Sequence, residues 1–565
     1  MLDNGITYLA ASTLFPTVTD LKRLLAVGSA VLVPVVAYGF AQQHGVDPVS
    51  YTQSTLRPIS TLGQPDMLAG YLSIAVSTTF AAAVVLWRPL RWPGRALLTA
   101  AAGACVVALL STSIRSGLLG LLGGEVALLT LLAIGPSATK RVSLAIVLLF
   151  GIAAGAAVPF SPIGPRVTNL GSDASVLGRF EMWETAGRAI ARRTLLGVGP
   201  DNFAVVYPSL RAERSVAING NELQTSTHNW FFYAAASAGL AGASALLALV
   251  AFVIAGSLRL ARQGRAAGLC LVPVVAFLAQ GLTVPDDIGL GWILWLCAGL
   301  VAAWTGRRFS GERWRRLPYD RRWLPAGAGI ALLAVAAWGI GNAGSRVLAS
   351  EAMLRSEGFV AARRGTDAVQ ASREAILLDP RRPEYWSAFG VALSAAGNPS
   401  AAASAFEEAT ARAPWHPLYW RNLALMRLTL GDMAAAFAAA ERSTVADPYD
   451  AESRDLLARL AFDRGDYARA VDEGERAVRL APGNVAAYDA PVRASIRLGQ
   501  WERAERMLSA GLATTRAVHL RVLRAELLLA QGRRVAARLE LDSVLAQDPG
   551  NAEAIALRTR LEAQR

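Results

Sequence analysis

Arg179 and His228 are polar residues placed where an otherwise apolar stretch of chain could do chemistry. The spacing predicts a helix over 175–193. At about 100° per residue its apolar side carries Phe180, Trp183, Gly187 and Ile190, and the opposite side carries Glu181, Glu184, Arg188 and Arg192. Arg179 falls at the edge of the apolar side, one turn before Trp183, so it is expected to point inward. A charge held there needs an anionic partner, either a ligand or an internal carboxylate such as Glu125 or Asp287. The spacing does not choose between them. His228 follows in Ser226-Thr227-His228-Asn229-Trp230, where a polar segment meets an apolar run. An imidazole titrating near neutrality suits proton transfer at such an edge, although a lone His is more often structural. Between the two lies Gly197-Val198-Gly199-Pro200-Asp201-Asn202-Phe203, a Gly-rich turn without the Lys of a phosphate-binding loop, which excludes a nucleotide site.

The elements that must position these residues are membrane-type helices. Of the 565 residues 53% are hydrophobic and 18% charged, with mean hydropathy +0.35. Nine apolar runs are long enough, or nearly so, to cross a bilayer as helices: 24–42, 66–87, 96–114, 116–134, 142–159, 229–257, 266–284, 288–305 and 324–342. Basic residues occupy alternate links: Lys22 and Arg23; Arg88, Arg91 and Arg95; Lys140 and Arg141; Arg259, Arg262 and Arg265; and the run from Arg307 to Arg322. Those links are expected in the cytoplasm. The links 43–65, the turn at Arg115, the long segment 160–228 and Val284-Pro285-Asp286-Asp287 then face outward, and the ninth span carries the C-terminal part outside. Residues 343–565 hold 30 Arg against 28 acidic residues, so nearly all of the net +13 sits in the links. That distribution argues for a membrane and against nucleic acid. Cys105, Cys270 and Cys297 fall inside apolar runs and have neither metal nor disulfide spacing, which makes them core residues. The first apolar run lacks a small-residue cleavage site and is expected to be an anchor.

Past residue 342 the pattern changes. Pro380, Pro414, Pro448 and Pro482 repeat every 34 residues, and Gly397, Gly431, Gly465 and Gly499 repeat in step. Small residues recur at Ala402, Ala436, Ala470 and Ala504, and at Ala375, Ala409, Ser443 and Ala477. Trp386 and Trp420 share one register position. This pattern resembles the tetratricopeptide repeat. With a degenerate unit near 349–382 and a last one near 518–551, six units are expected, forming a solenoid with a concave face for a peptide or protein partner. The expected fold is therefore all-α: a transmembrane bundle over 1–342 with outer loop 160–228, then a non-cytoplasmic repeat domain over 343–565.

Several segments in order on one membrane face carry a further resemblance. Arg179-Phe180 with Trp183 is followed by Leu195-Leu196-Gly197-Val198-Gly199-Pro200-Asp201-Asn202-Phe203. Then come Thr227-His228-Asn229-Trp230-Phe231-Phe232 and Gly239-Leu240-Ala241-Gly242. Upstream are Ser60-Thr61-Leu62-Gly63-Gln64-Pro65-Asp66-Met67-Leu68-Ala69 and Ser111-Thr112-Ser113-Ile114-Arg115-Ser116-Gly117. Over residues 40–305 this order resembles the O-antigen ligase and polymerase superfamily, which includes bacterial protein O-oligosaccharyltransferases. The resemblance implies transfer of a glycan from undecaprenyl diphosphate to an acceptor hydroxyl on a lipid or protein, with neither metal nor nucleotide sugar, in cell-envelope polysaccharide or lipopolysaccharide synthesis. It implies that Arg115 and Arg179 bind the diphosphate and that His228 activates the acceptor or orients the donor. Gln64, Asp66, Trp183 and Asn229 would support them; Asp66 stands where the family commonly has Asn. The chain also has fewer N-terminal spans than the family usually shows, which suggests an upstream start or a reduced bundle. Glycan polymerisation, transfer to protein, and a non-enzymatic scaffold for envelope proteins are the other readings. A transporter fits less well, because no matched pair of broken spans recurs in two halves, although the intramembrane Glu125 would suit one.

Overall fold

The computed structural model describes residues 2–15, 17–46, 58–62, 64–85, 92–135, 140–164, 167, 174–220, 222–284, 288–306 and 323–563. Asp287, Gly63 and the basic link 307–322 lie outside the described residues. Among those described, every regular element is a helix. The chain divides into two compact units. One comprises 1–207 and 224–322; the other comprises 208–223 and 323–565.

The first unit contains α1 (Leu2–Leu14), α2 (Val18–Gln43), α3 (Pro65–Val85), α4 (Trp92–Ser111), α5 (Arg115–Ile134), α6 (Lys140–Ala157) and α7 (Ala174–Arg192). α8 (Phe203–Leu210) begins in it, and α9 (Glu213–Asn219) belongs to the other unit. After these come α10 (Trp230–Arg262), α11 (Leu271–Gln280) and α12 (Ile288–Trp304). Among the described residues, five stretches are long and apolar enough to cross a membrane: α2, α3, α5, residues 143–160 and α10, with mean hydropathy of 1.8 to 2.3. Residues 100–111, 266–280 and 290–304 form shorter apolar helices. The short helix α1 has no counterpart in the hydropathy reading. It packs on α12, where Gly299 admits the backbone of Tyr8 and the methyl of Ala11. α2 and α6 expose Val27, Val31, Val33, Leu148, Leu149 and Ile152, an apolar surface suited to lipid.

α3 is the buried centre of this unit. It runs parallel to α5, with Gly117 against Ala69, Gly120 against Ser73 and Gly124 against Ser77. Small residues on both helices bring the backbones together, as in membrane helix pairs generally. The hydroxyls of Ser73 and Ser77 donate to their own helix, to the carbonyls of Gly70 and Ser73 at 2.8 Å each, and so carry no unsatisfied polarity into the crossing. Because the two helices run parallel, Asp66 and Arg115 start them at the same end of the bundle. The three cysteines are free and buried.

In the second unit α13 (Trp323–Ala361) is a single helix of 39 residues, about 58 Å long. The expected ninth span occupies its first part, and the same helix continues into the first repeat, so the sequence-based division at 342/343 falls inside it. α14 (Gly365–Leu378) pairs with the end of α13. Five further helix pairs follow in register, from Pro383–Ala395 with Pro399–Arg412 to Val518–Ala530 with Arg534–Gln547, closed by the single helix Ala552–Ala563. The small residues expected at the helix contacts are all fully buried. The register also has a hydrogen bond that the sequence reading half-saw. Trp386 and Trp420 donate Nε1 to the carbonyls of Pro380 and Pro414 at 2.9 and 2.8 Å. At the same position Arg454 donates Nε to Pro448 at 2.7 Å and Tyr488 its hydroxyl to Pro482 at 3.2 Å. One tether thus recurs with three side-chain types.

Candidate functional site

The site lies in the first unit. Arg115 opens α5, and its Nη2 donates to the Ser175 hydroxyl at 2.7 Å. Ser175 sits in the first turn of α7, one turn before Arg179. Arg179 Nη1 donates to the Ser175 carbonyl at 3.2 Å and reaches its hydroxyl at 3.4 Å, while Nε donates to the Thr283 carbonyl at 2.8 Å. Two guanidinium groups therefore gather on one serine although 64 positions separate them in sequence. Like charges brought together this way are stabilised by an anion. Ser175 and Thr283 were not singled out in the sequence. Ser175 was findable from its spacing of four to Arg179, and Thr283 only from the fold.

His228 sits at φ 50°, a left-handed conformation that His tolerates better than most residues. Its backbone N–H donates to the Ser226 hydroxyl at 3.2 Å. Burial holds its pKa below the ordinary histidine value; the Ser226 backbone pulls it up, the Arg179 charge pushes it down, and the Asp66 charge pulls it up. Arg179 and Asp66 are thus both within electrostatic reach of His228. The neighbouring residues fix the backbone that follows it. Asn229 caps α10, its Oδ1 accepting from the N–H groups of Phe231 and Phe232 at 2.9 and 3.1 Å. Its Nδ2 donates to the Leu282 carbonyl at 3.0 Å, and the Trp230 N–H to the Gly281 carbonyl at 2.9 Å. Asn229 is therefore engaged as a clamp. Trp183 stacks on Phe232 with ring centroids 5.9 Å apart. Gln64 is exposed just before α3, where its backbone carbonyl accepts from Leu68 N–H at 3.1 Å. Asp66 is half-buried.

The expected phase of α7 is corrected. Phe180 is 57% exposed and Gly187 is exposed, whereas Glu181 is 4% exposed. The buried side is Met182, Thr185, Ala186 and Ala189, and Met182 and Ala186 pack with Phe203, Tyr207 and Ala236. Ranking residues by hydropathy alone selected the large aromatics, but the close contact selects small residues that let helices approach. Arg188 remains at the surface, ion-paired with Glu184. Of the internal carboxylates considered for Arg179, Glu125 has a buried Oε1 without a hydrogen-bond partner.

The Gly-rich turn has a structural role. α10 is broken at Gly239, whose φ is 67°. Val198 and Gly199 donate to the carbonyls freed there, those of Ala236 and Ser237, at 2.8 and 2.9 Å. In return Leu240 donates to Thr194 at 2.8 Å and Ala241 to Leu195 at 3.3 Å. Gly197 faces Gly239 across this exchange, and a Cβ on either would strike the other segment's backbone. The paired motifs thus lock α7 to the short helix that His228 precedes.

Together these features define a helical membrane-type protein in which two guanidinium groups meet on Ser175 at one end of the bundle, and which carries a repeat solenoid. Residues 100–247, which include Arg115, Arg179 and His228, match the sequence model of the O-antigen ligase family. Residues 387–451, 452–485 and 492–552 match that of the tetratricopeptide repeat. Residues 100–247 are thus similar to the O-antigen ligase family and those of the C-terminal part to tetratricopeptide repeats. No curated protein matches it. Solved structures similar to it include PilF of Pseudomonas aeruginosa, at 14% identity over 38% of this chain and 99% of that one, with TM-score 0.33. A tetratricopeptide repeat protein of Parabacteroides merdae is similar at 17% identity over 38% and 86%, with TM-score 0.33. PilW, a type IV pilus biogenesis factor, is similar at 15% identity over 37% and 97%, with TM-score 0.33.

Proposed function

We propose that this protein transfers a glycan from undecaprenyl diphosphate to an acceptor hydroxyl, as an O-antigen ligase does. The acceptor oxygen bonds to the anomeric carbon as the bond from that carbon to the diphosphate oxygen breaks. The diphosphate leaves with the electron pair, and the acceptor proton passes to the His228 imidazole. Arg115 and Arg179 grip the diphosphate and neutralise the charge that develops on it. The observation that carries this reading is the convergence of both guanidinium groups on Ser175, with Arg179 also acting on a half-buried His228. Burial keeps that imidazole neutral and able to accept a proton near pH 7. In this reading the repeats hold the acceptor or a protein partner. Lipid-linked donor and transferred product, measured together in membranes, test it. Arg179→Ala and His228→Ala should each abolish transfer at unchanged protein level, while Arg188→Ala should be nearly silent. Arg115→Lys should also be damaging, because a point charge cannot reproduce a bidentate grip. Full transfer without Arg179 and His228 would end this assignment.

The reading places the site at the outer face of the cytoplasmic membrane. The alternating basic links support it, as does the parallel run of α3 and α5, which sets Asp66 and Arg115 at one end. Reporters fused after Arg565 and near Gly171 should read as non-cytoplasmic and one near Gly311 as cytoplasmic. A cytoplasmic signal at Arg565 would overturn the orientation.

A further inference from the structure

The repeat unit contains one piece of chain from far upstream, Pro208–Leu223. Arg211 in this strap makes a two-pronged ion pair with Asp447. Nε donates to Oδ1 at 3.2 Å and Nη2 to Oδ2 at 2.6 Å, with both side chains 1% exposed. Nη1 of the same guanidinium reaches the Gly220 carbonyl at 3.3 Å, closing the strap on itself. Asp447 Oδ1 also accepts from Tyr449 N–H at 2.9 Å. The equivalent repeat positions differ. Asp379 accepts from Arg381 N–H at 3.3 Å, but its ion pairs are long, 3.8 and 3.9 Å, to the exposed Arg346 and Arg382, and Ala413 and Ala481 carry no charge. A carboxylate buried this deeply is tolerated only with its partner, so Asp447 is a position of the solenoid adapted to the strap.

In sequence the strap ends close to His228. The chain leaves the repeat unit at Leu223, and His228 follows five positions later. Beyond His228 the chain is fixed again, by Asn229 on the Leu282 carbonyl and Trp230 on the Gly281 carbonyl. Only the short stretch from Gln224 to His228 is left to choose a path, and His228 takes a left-handed one.

We propose that Arg211 and Asp447 are positioning residues: by gripping the strap, the solenoid holds the backbone that presents His228 to the acceptor. This rests on the transferase reading above. It makes the repeats part of the transfer site's support as well as a surface for partners.

The test uses the full-length protein in lipid nanodiscs and compares wild type, Asp447→Asn, Arg211→Gln and the double exchange Arg211→Asp with Asp447→Arg. Amide hydrogen exchange over 208–228 is measured alongside glycan transfer. Each single variant should speed exchange at 222–228 by about ten-fold or more, as expected for loss of a charged hydrogen-bond pair. Transfer should fall by up to about a hundred-fold, the scale of a small misplacement of a reacting group. The double exchange should recover protection and part of the transfer even if a single variant loosens the repeats. Unchanged exchange at 222–228 in both single variants would overturn the proposal, and so would faster exchange there with wild-type transfer. Exchange is read without activity. A wild-type protein that showed no transfer would therefore defeat the transferase reading, while protection at 222–228 would still decide whether the pair positions His228.

Discussion

The two units use glycine in opposite ways. In the repeats Gly431 sits at φ 79° with open space where a Cβ would be, and its conformation ends one helix so the next can fold back. In the bundle Gly239 has nearly the same angle, φ 67°, but a Cβ there would meet the backbone of Leu195 and Leu196. The first glycine solves a local problem, posed by the chain on either side of it. The second solves a distant one, the crossing of two segments some forty residues apart in sequence. A solenoid is built from contacts between neighbours and tolerates local damage, whereas the bundle at Gly239 depends on a contact between segments far apart in the chain.

That contrast can be broken most directly at the glycines. Gly239→Val should prevent the segment around Leu195 and Gly197 from seating on α10, with loss of monodisperse protein in size-exclusion chromatography, because both the angle and the space are forbidden. Gly431→Ala meets only the angle. It should cost about 1–2 kcal/mol in thermal or denaturant unfolding of the repeats and leave the protein folded. Equal effects at the two positions would remove the distinction.

A smaller effect is expected from pH. With its pKa held below the ordinary histidine value, His228 stays neutral as pH falls past that value and takes a proton only further down. The acid limb of glycan transfer should therefore lie below the usual histidine range. Asp66 pulls that pKa up, so Asp66→Asn should move the limb lower still in a pH–rate profile. A limb that rises on this substitution would show that Asp66 acts on another group. The smallest effect is Trp420→Phe, which removes the bond to Pro414 from one repeat and should cost about 1 kcal/mol. Melting of the repeats should register it, while transfer should not.

The sequence by itself determined what depends on period and composition. Apolar runs predicted the helices α2 to α6 and α10 to α12 to within about six residues at each end, and the 34-residue spacing of proline and glycine set the solenoid's register. Both signals are local: a helix in lipid must satisfy its own backbone, and a repeat must offer each neighbour the same surface. The order of short motifs around Arg115, Arg179 and His228 singled out the residues that the fold gathers, with Arg115 and Arg179 meeting on Ser175. Tertiary structure decided the rest. The phase of α7 was set by which face could approach α10 closely, so Ala186 and Ala189 were buried and Phe180 was not. The Gly-rich turn took its meaning from carbonyls freed at Gly239. Asp447 reads as one more residue before a proline until Arg211, 236 positions earlier, is laid against it. Contacts of that separation leave no period in a sequence, because each partner is chosen by the space the other fills and not by the residues beside it.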